Sequence, residues 1–331
     1  MRKISVTGVA ALSLLLLMSC GQSKDAAVEI AANTVEKETV KNAILEDEVA
    51  ATLKYLSSDE LQGRATGTDG IELAAQYIEQ YFKTNDLKPF FETYRDSFEV
   101  KGVTGYNLIG MVEGTDPNIK DEYIIVGAHY DHVGRAKSVD GDSLANGAND
   151  NASGTTAVLE LAKFFAENPP KRSMLFTLFS AEEMGLVGAK ELAKKLKAEN
   201  IDLYTMFNIE MIGVPMEDRD YQAYITGYDM SNLAMKFNEY SGEKVLGFLP
   251  QAKEYSLFQR SDNYPFYREF KVPAQTISTF DFTNYPYYHH VDDEFGLMDV
   301  DHMTNLIEAI IPGLSTMANT PQKEIKLIES L

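Results

Sequence analysis

Residues 124–132 read Ile-Ile-Val-Gly-Ala-His-Tyr-Asp-His, an apolar run that passes directly into ionisable side chains. A short, continuous apolar run is typical of a strand buried on both faces, as in parallel sheets. Two further runs, residues 174–181 and 206–209, likewise end directly before glutamates. In open α/β sheets, ligands bind beyond the carboxyl ends of the strands. We therefore predict that these three segments converge on one site.

Strand and helix patterns alternate along the rest of the chain. Strands are predicted at residues 106–112, 123–128, 174–179, 204–209, 221–225 and 273–277, and helices at residues 43–56, 71–82, 152–165, 186–196 and 302–317. This alternation predicts an α/β fold: a three-layer α/β/α sandwich with a mixed, mainly parallel central sheet. No linker-like stretch interrupts the pattern, so residues 42–331 are predicted to form one domain.

The N-terminal segment has a different character. Two basic residues precede an apolar run at residues 9–18, which predicts a signal peptide over residues 1–19. Cys20, the single Cys of the chain, ends a stretch that resembles a bacterial lipobox, in which the Cys is lipidated. Residues 20–41 are small, polar and acidic, as expected of a tether. We expect export to the bacterial cell envelope with a lipid anchor on Cys20, or a secreted or periplasmic protein if Cys20 is not modified.

The composition excludes some partners. The 331-residue chain has a net charge of −20 at pH 7 and shows no basic patch, which argues against nucleic-acid binding. With one Cys, it forms no intramolecular disulfide, so its stability depends on its core or on bound metal. Nothing in the composition indicates an oligomeric state.

Residue types that bind metals accumulate around the strand ends. Four of the five histidines fall within residues 129–132 and 289–290, and Asp150 lies in a Gly-rich turn at residues 147–154. Taken alone, Asp150 would be an ordinary helix N-cap. His and carboxylate donors without Cys suit zinc at an open catalytic site, and there are enough of them for two ions that share a carboxylate.

Residues 60 to about 315 resemble the co-catalytic dizinc peptidase family that includes bacterial leucyl aminopeptidases and glutamate carboxypeptidase II. The matching segments, in the same order and with similar spacing, are residues 61–67, 129–132, 147–154, 182–186, 208–213, 261–266 and 288–289. The resemblance implies two Zn²⁺ per chain, a mixed sheet with helices on both faces, and a cis peptide bond after Asp150.

The resemblance also implies a metal ligand set. Asp150 would bridge the two ions, His129 and Glu210 would complete one site, and Glu183 and His289 the other. Many family members have Asp where this chain has Glu210, so the reach of that carboxylate differs.

Three further residues receive catalytic roles from the resemblance. Glu182 would be the general base, Asp131 would orient the His129 ring, and Tyr288 would stabilise the oxyanion. His290 competes with His289 for the ligand position, and we favour His289 because neighbours in extended backbone point to opposite faces. His132 is an alternative to His129 but lies further from the strand end.

The predicted function is removal of N-terminal residues from peptides by a water that two zinc ions activate. A carboxypeptidase would need a cation for the substrate carboxylate, for which Arg260 and Arg268 are the candidates. A glutaminyl cyclase, a single-zinc relative on the same fold, is disfavoured because the predicted ligand and base segments are intact. A non-catalytic binding domain would have lost a ligand or the base, and neither is missing.

Overall fold

The computed structural model describes residues 42–328, so the predicted signal peptide, Cys20 and the tether lie outside the described residues. The strands are Lys88–Pro89 (β1), Arg95–Val100 (β2), Val103–Val112 (β3), Glu122–His129 (β4), Arg135–Val139 (β5), Asp142–Leu144 (β6), Ser173–Phe179 (β7), Asp202–Ile209 (β8), Ala223–Ile225 (β9), Leu246–Gly247 (β10) and Ala274–Ser278 (β11). The α-helices are Glu46–Leu56 (α1), Asp69–Thr84 (α2), Gly154–Glu167 (α3), Val187–Ala198 (α4), Leu233–Ser241 (α5), Pro250–Glu254 (α6), Asn263–Phe270 (α7) and Val300–Asn319 (α8). Shorter 3₁₀ segments are Asp59–Arg64, Tyr228–Met230, Leu257–Gln259 and Phe295–Leu297, and a π-helical turn spans Ala148–Ser153.

The main sheet is mixed, and its centre is parallel. Its strands follow the order β1-β3-β7-β4-β8-β11-β9-β10, with β2 paired to β3. Strands β7, β4, β8 and β11 run parallel, whereas β3 joins β7 and β9 joins β11 in antiparallel pairs. All seven residues of β7 are buried, as the continuous apolar run predicts for a strand covered on both faces.

Helices cover both faces of this sheet. Successive side chains of a strand point to opposite sides, so an apolar strand presents side chains to the helices on each face. On one face, Leu175 and Phe179 of β7 pack in a cluster with residues of α4 and α7. On the other face, Phe176 stacks on Phe165 of α3, with 6.1 Å between the ring centroids. The predicted three-layer α/β/α sandwich is confirmed, with parallel pairing in the central strands and also between β9 and β10 at one edge.

The predicted elements match observed elements, mostly within three residues at each end. Sequence reasoning missed the short elements β1, β10 and α6, and also β2, the β5–β6 hairpin, α5 and α7. Charged residues interrupt the apolar pattern of β2, and Pro265 lies inside α7, so neither segment shows an uninterrupted periodicity. Across residues 42–328, no helix has the length and hydropathy needed to span a bilayer.

Candidate metal centre

The three central strands bring their ionisable residues to one edge of the sheet. His129 is the last residue of β4 and pairs in register with Phe179, the last residue of β7. Glu182 and Glu183 follow β7 after a short turn, and Glu210 directly follows β8. Because β4 lies between β7 and β8 and all three run parallel, the segments after them share one crevice, as the sequence predicts.

Asp150 enters this crevice from the turn before helix α3. Its φ and ψ of −110° and 96° interrupt the π-helical turn Ala148–Ser153, and the peptide bond from Asp150 to Asn151 is cis, as the family resemblance implies. The N-cap residue of α3 is Ser153, and the N–H of Gly154, the first helical residue, donates to the Asn151 side chain at 3.0 Å. The N-cap reading of Asp150 is therefore wrong, and its buried carboxylate is free to face the histidines.

The two oxygens of Asp150 face different histidines. Oδ1 lies 3.4 Å from Nε2 of His129, and Oδ2 lies 3.2 Å from Nε2 of His289 and 3.6 Å from Nδ1 of His132. Glu183 Oε1 lies 2.9 Å from His289 Nε2 and 3.2 Å from His132 Nδ1. The carboxylate of Asp150 thus lies between two sets of donors.

Four side chains form a compact donor group, which we call the His132 group. One ligand atom from each of His132, Asp150, Glu183 and His289 lies within 4.8 Å of the others. Within residues 42–328, the buried atoms His132 Nδ1, Asp150 Oδ2, Glu183 Oε1 and His289 Nε2 make no contact with hydrogen-bond geometry, although they lie as close as 2.9 Å to one another. Buried polar atoms nearly always have a hydrogen-bond partner. Four ligand atoms that lack one and converge on one point therefore fit a bound cation. Two imidazoles and two carboxylates are a donor set that suits zinc.

The second donor set centres on His129. Its Nδ1 lies 3.1 Å from the carbonyl oxygen of Asp131, and a carbonyl only accepts, so Nδ1 carries the ring proton. In the neutral ring, Nε2 then presents its lone pair to Asp150 Oδ1, and two acceptors at 3.4 Å require a proton or a metal ion between them. The Asp131 carboxylate is further from the ring, at 3.8 Å, so the main-chain carbonyl is the nearer contact.

Glu210 lies beside these donors without joining the His132 group. Its carboxylate accepts a hydrogen bond from the Ser261 hydroxyl, and its main-chain N–H donates to the carbonyl of Ile277 on β11 at 3.0 Å. Burial raises the pKa of Glu210 to about 7, and the nearby His129 opposes this rise. The structure therefore holds Glu210 near His129 through a hydrogen bond to a neighbouring loop.

Glu182 is held through its main chain. Its N–H donates to Oδ1 of Asp131 at 3.1 Å, and Thr66 Oγ1 donates to the other carboxylate oxygen at 3.2 Å. Burial raises the pKa of the Glu182 carboxyl well above its usual range, and the negative charges of Asp262 and Glu210 contribute. A carboxyl with a raised pKa in a crevice is a candidate for general acid and base chemistry.

The loop after β11 brings in one histidine and turns its neighbour away. His289 has a positive φ of 53° and faces Asp150 and Glu183. His290 instead accepts a hydrogen bond at Nδ1 from the main-chain N–H of Asp292 at 3.1 Å. The half-exposed ring of Tyr288 stacks on His289 with 4.0 Å between centroids. The backbone here is a turn, so the expectation of extended chain was wrong although it favoured the histidine that faces the site.

Two residues without a predicted role hold the loops of the site in position. The fully buried Arg64 donates to the carbonyls of Tyr130, Asn146 and Gly147 at 2.8, 2.7 and 3.0 Å, and also to that of Leu56. It thereby ties the segment after β4 to the turn that carries Asp150. Burial lowers its pKa to about 10, and the nearby carboxylates oppose this shift.

Asp293 anchors the same turn from the opposite side. Its carboxylate accepts the main-chain N–H groups of Asn149 and Asp150 at 2.8 and 3.0 Å, and the Tyr285 hydroxyl at 2.7 Å. No local pattern marks Asp293 in the sequence, because its partners on the turn lie more than 140 residues away. The sequence did carry a signal for Arg64, because Arg64 lies within residues 61–67, one of the segments that match the dizinc peptidase family.

Known proteins share parts of this sequence. The model of the protein family described as peptidase family M28 matches residues 107–312. Leupeptin-inactivating enzyme 1 of Streptomyces exfoliatus is 32% identical over 218 residues, which cover 65% of this chain and 44% of that protein. Aminopeptidase YwaD of Bacillus subtilis is 33% identical over 173 residues, covering 50% of this chain and 33% of that protein. The chain thus spans less than half the length of these curated relatives.

Solved structures share the fold. The LapA aminopeptidase of Legionella pneumophila has a TM-score of 0.68 at 20% identity, covering 87% of this chain and 76% of that one. A glutaminyl cyclase of Fimbriiglobus ruber has a TM-score of 0.64 at 18% identity, covering 82% of this chain and 95% of that one. Because proteins with either name have this fold, the fold does not distinguish between the two activities.

Proposed function

Because the chain belongs to peptidase family M28, we propose that it hydrolyses peptide bonds in a metal-dependent reaction and removes residues from the N-termini of peptides. The observation that carries the proposal is the arrangement around Asp150, whose Oδ1 faces His129 while its Oδ2 faces the other members of the His132 group. A carboxylate with a donor set at each oxygen suits a pair of ions. We therefore propose two zinc ions per chain.

The residues near Asp150 divide into two ligand sets. His129 and Glu210 would hold one zinc ion, Glu183 and His289 the other, and Asp150 would contact both. When bound, zinc lowers the pKa of water and polarises the scissile carbonyl.

The protein's own groups would then handle the proton and the developing charge. Glu182 would take a proton from the attacking water and pass it to the leaving amine. The hydrogen bond from the Glu182 N–H to Asp131 supports this role, because it holds the base segment against the segment that carries His129. Tyr288, stacked on His289, is the candidate donor to the oxyanion.

The charge of the crevice favours an N-terminal substrate group over a C-terminal one. The negative charges of Asp262 and Glu210 help to raise the pKa of Glu182, and that of Glu210 helps to raise the pKa of Asp262, so a substrate ammonium would relieve this repulsion. The two cations considered for a carboxypeptidase are exposed, and Arg268 donates to the Tyr264 hydroxyl at 3.2 Å. An aminopeptidase therefore fits these residues better than a carboxypeptidase.

Export and lipid anchoring on Cys20 are part of the same proposal and rest on the sequence. The supporting features are the signal-like residues 1–19 and the single Cys that follows them. Metabolic labelling with a radioactive fatty acid tests this directly, because wild type should incorporate label and Cys20→Ser should not.

Hydrolysis of aminoacyl-p-nitroanilides by the full chain tests the activity. We expect release of p-nitroaniline that chelator abolishes, that added zinc restores, and that Glu182→Gln reduces by at least about a thousandfold while zinc remains bound. Zinc-loaded protein that releases nothing from any aminoacyl substrate would overturn the aminopeptidase proposal. Glutaminyl cyclisation and blocked or C-terminal peptide substrates would then be measured.

A further inference from the structure

We propose that His132 is a further zinc ligand, on the same ion as Glu183 and His289. The His132 group would then offer four protein donors to one ion, whereas His129, Asp150 and Glu210 offer three to the other. This inference rests on the proposed function, because it concerns the same metal pair. It changes the ligand set that the family resemblance implies, which assigns no role to His132.

Position and burial support this assignment. His132 Nδ1 lies 3.2 Å from Glu183 Oε1 and 3.6 Å from Asp150 Oδ2, and the His132 side chain is fully buried. Its ring meets that of His289 edge-on, with 5.6 Å between centroids. The imidazoles of His132 and His289 therefore approach the same two carboxylates from different directions, as two ligands of one ion do.

The hydrogen-bond geometry of His132 argues against an ordinary structural role. A buried histidine that serves only packing usually has a hydrogen bond to at least one ring nitrogen. Within the described part of the chain, neither ring nitrogen of His132 has a hydrogen-bond partner. A metal ion at Nδ1 would satisfy one nitrogen and would leave the ring proton on Nε2.

The surrounding backbone is shaped to hold the ring in this position. Gly147 has a positive φ of 61°, and a Cβ on it would lie 2.6 Å from Cγ and Cδ2 of His132. The main-chain N–H of His132 contacts the carbonyl of Arg64 at 3.3 Å, and Arg64 in turn donates to Gly147. The ring is thus confined between the Gly147 turn and the carboxylates, with little freedom to swing away.

A difference between the two ions follows from the donor count. Four protein donors around zinc are typical of sites that retain their metal, while three donors leave a position for water or substrate. We therefore expect the ion of the His132 group to bind more tightly and to exchange more slowly than the ion beside His129.

Zinc binding to the full chain tests the inference without reference to catalysis. Wild type and His132→Gln are titrated with zinc against a chelator of known affinity, and the first equivalent of Co²⁺ is followed by its visible absorption. We expect His132→Gln to weaken one zinc site by at least about tenfold, leave the other within about twofold, and change the Co²⁺ spectrum. His290→Gln is the matched control, because His290 faces Asp292, and it should leave both measurements unchanged.

The other outcomes separate the inference from the proposed function. If His132→Gln changes neither the zinc affinities nor the Co²⁺ spectrum, the inference is overturned and the proposed function is not. Weakened zinc binding with an unchanged Co²⁺ spectrum would also overturn the inference alone, because His132 would then be a positioning residue and not a ligand. Wild-type chain that binds no zinc would overturn the inference and the proposed function together. If His132→Gln does not fold, zinc-edge X-ray absorption of wild type decides the matter: three imidazoles for two zinc ions support the inference and two overturn it.

Discussion

The Asp131 carboxylate accepts a hydrogen bond from the main-chain N–H of Glu182, with 3.1 Å between Asp131 Oδ1 and Glu182 N. The carbonyl oxygen of Asp131 lies 3.1 Å from His129 Nδ1. One residue therefore positions both the proposed base and a proposed zinc ligand, the first through its side chain and the second through its main chain.

The two contacts of Asp131 are separable by mutation. We expect Asp131→Ala to lower kcat on an aminoacyl-p-nitroanilide by about 10–100-fold, because the Glu182 segment loses its anchor. Zinc content should change little, since the main-chain carbonyl that faces His129 remains. Asp131→Asn, which keeps an acceptor for the Glu182 N–H, should retain more activity than the alanine variant. Equal kcat in Asp131→Ala and wild type would contradict this role.

Arg64 should be hard to replace even by lysine. The planar guanidinium group of Arg64 donates hydrogen bonds to four main-chain carbonyls. The compact ammonium group of a lysine cannot reach all four, so Arg64→Lys leaves buried carbonyls without partners. We expect a loss of at least about 2 kcal/mol in the free energy of unfolding, measured by urea denaturation of the zinc-loaded chain. The exposed Arg135→Lys serves as the control and should stay within about 0.5 kcal/mol of wild type. If the two variants are equally stable, Arg64 does not hold the site loops.

The buried Glu160 of helix α3 predicts a dependence of stability on pH. Burial raises its pKa from 4.5 to about 7, and the charge of Glu48 adds to the rise. The folded chain thus binds this proton more tightly than the unfolded chain. The stabilisation is complete below pH 4.5 and is lost as the pH rises through 7.

Replacement by glutamine should remove this dependence. We expect Glu160→Gln to be more stable than wild type above pH 7, by up to about 3 kcal/mol, and the difference to shrink towards pH 4.5. Urea unfolding at several pH values measures it, with the exposed Glu167→Gln of the same helix as the control. A difference between Glu160→Gln and wild type that is the same at all pH values would argue against a titrating Glu160.

Metal removal should destabilise the folded chain. Asp150, Glu183 and Glu210 are buried or nearly so, and without a cation their charges repel one another. We expect saturating zinc at 100 times its Kd to add about 2.7 kcal/mol per site to the free energy of unfolding, seen as a rise in Tm over chelator-treated protein. Magnesium at the same concentration is the control and should give a much smaller rise, because it disfavours imidazole ligands. A Tm that zinc does not change would contradict a metal site among these residues.

Apolar patterning was sufficient to predict the layers of the fold and the edge of the sheet at which the site forms. Apolar runs such as residues 124–128 can be buried on both faces only in the middle of a covered sheet, so their ends had to meet at one edge. Polar groups that follow such runs, such as Glu183 and Glu210, were therefore predictable as neighbours. Strand β2 was missed because the charged residues Arg95, Asp96 and Glu99 interrupt the apolar pattern that identifies a strand.

Which side chains face one another within the crevice depends on how separate loops pack. His132 meets Glu183, and Asp293 meets the N–H of Asp150, only because separate loops fold onto the same point. The choice of His289 over His290 depends on a positive φ, which is a property of the turn and not of the residue type. Periodicity reports which face of a strand or helix is buried, and it carries no information about the direction of a side chain in a loop.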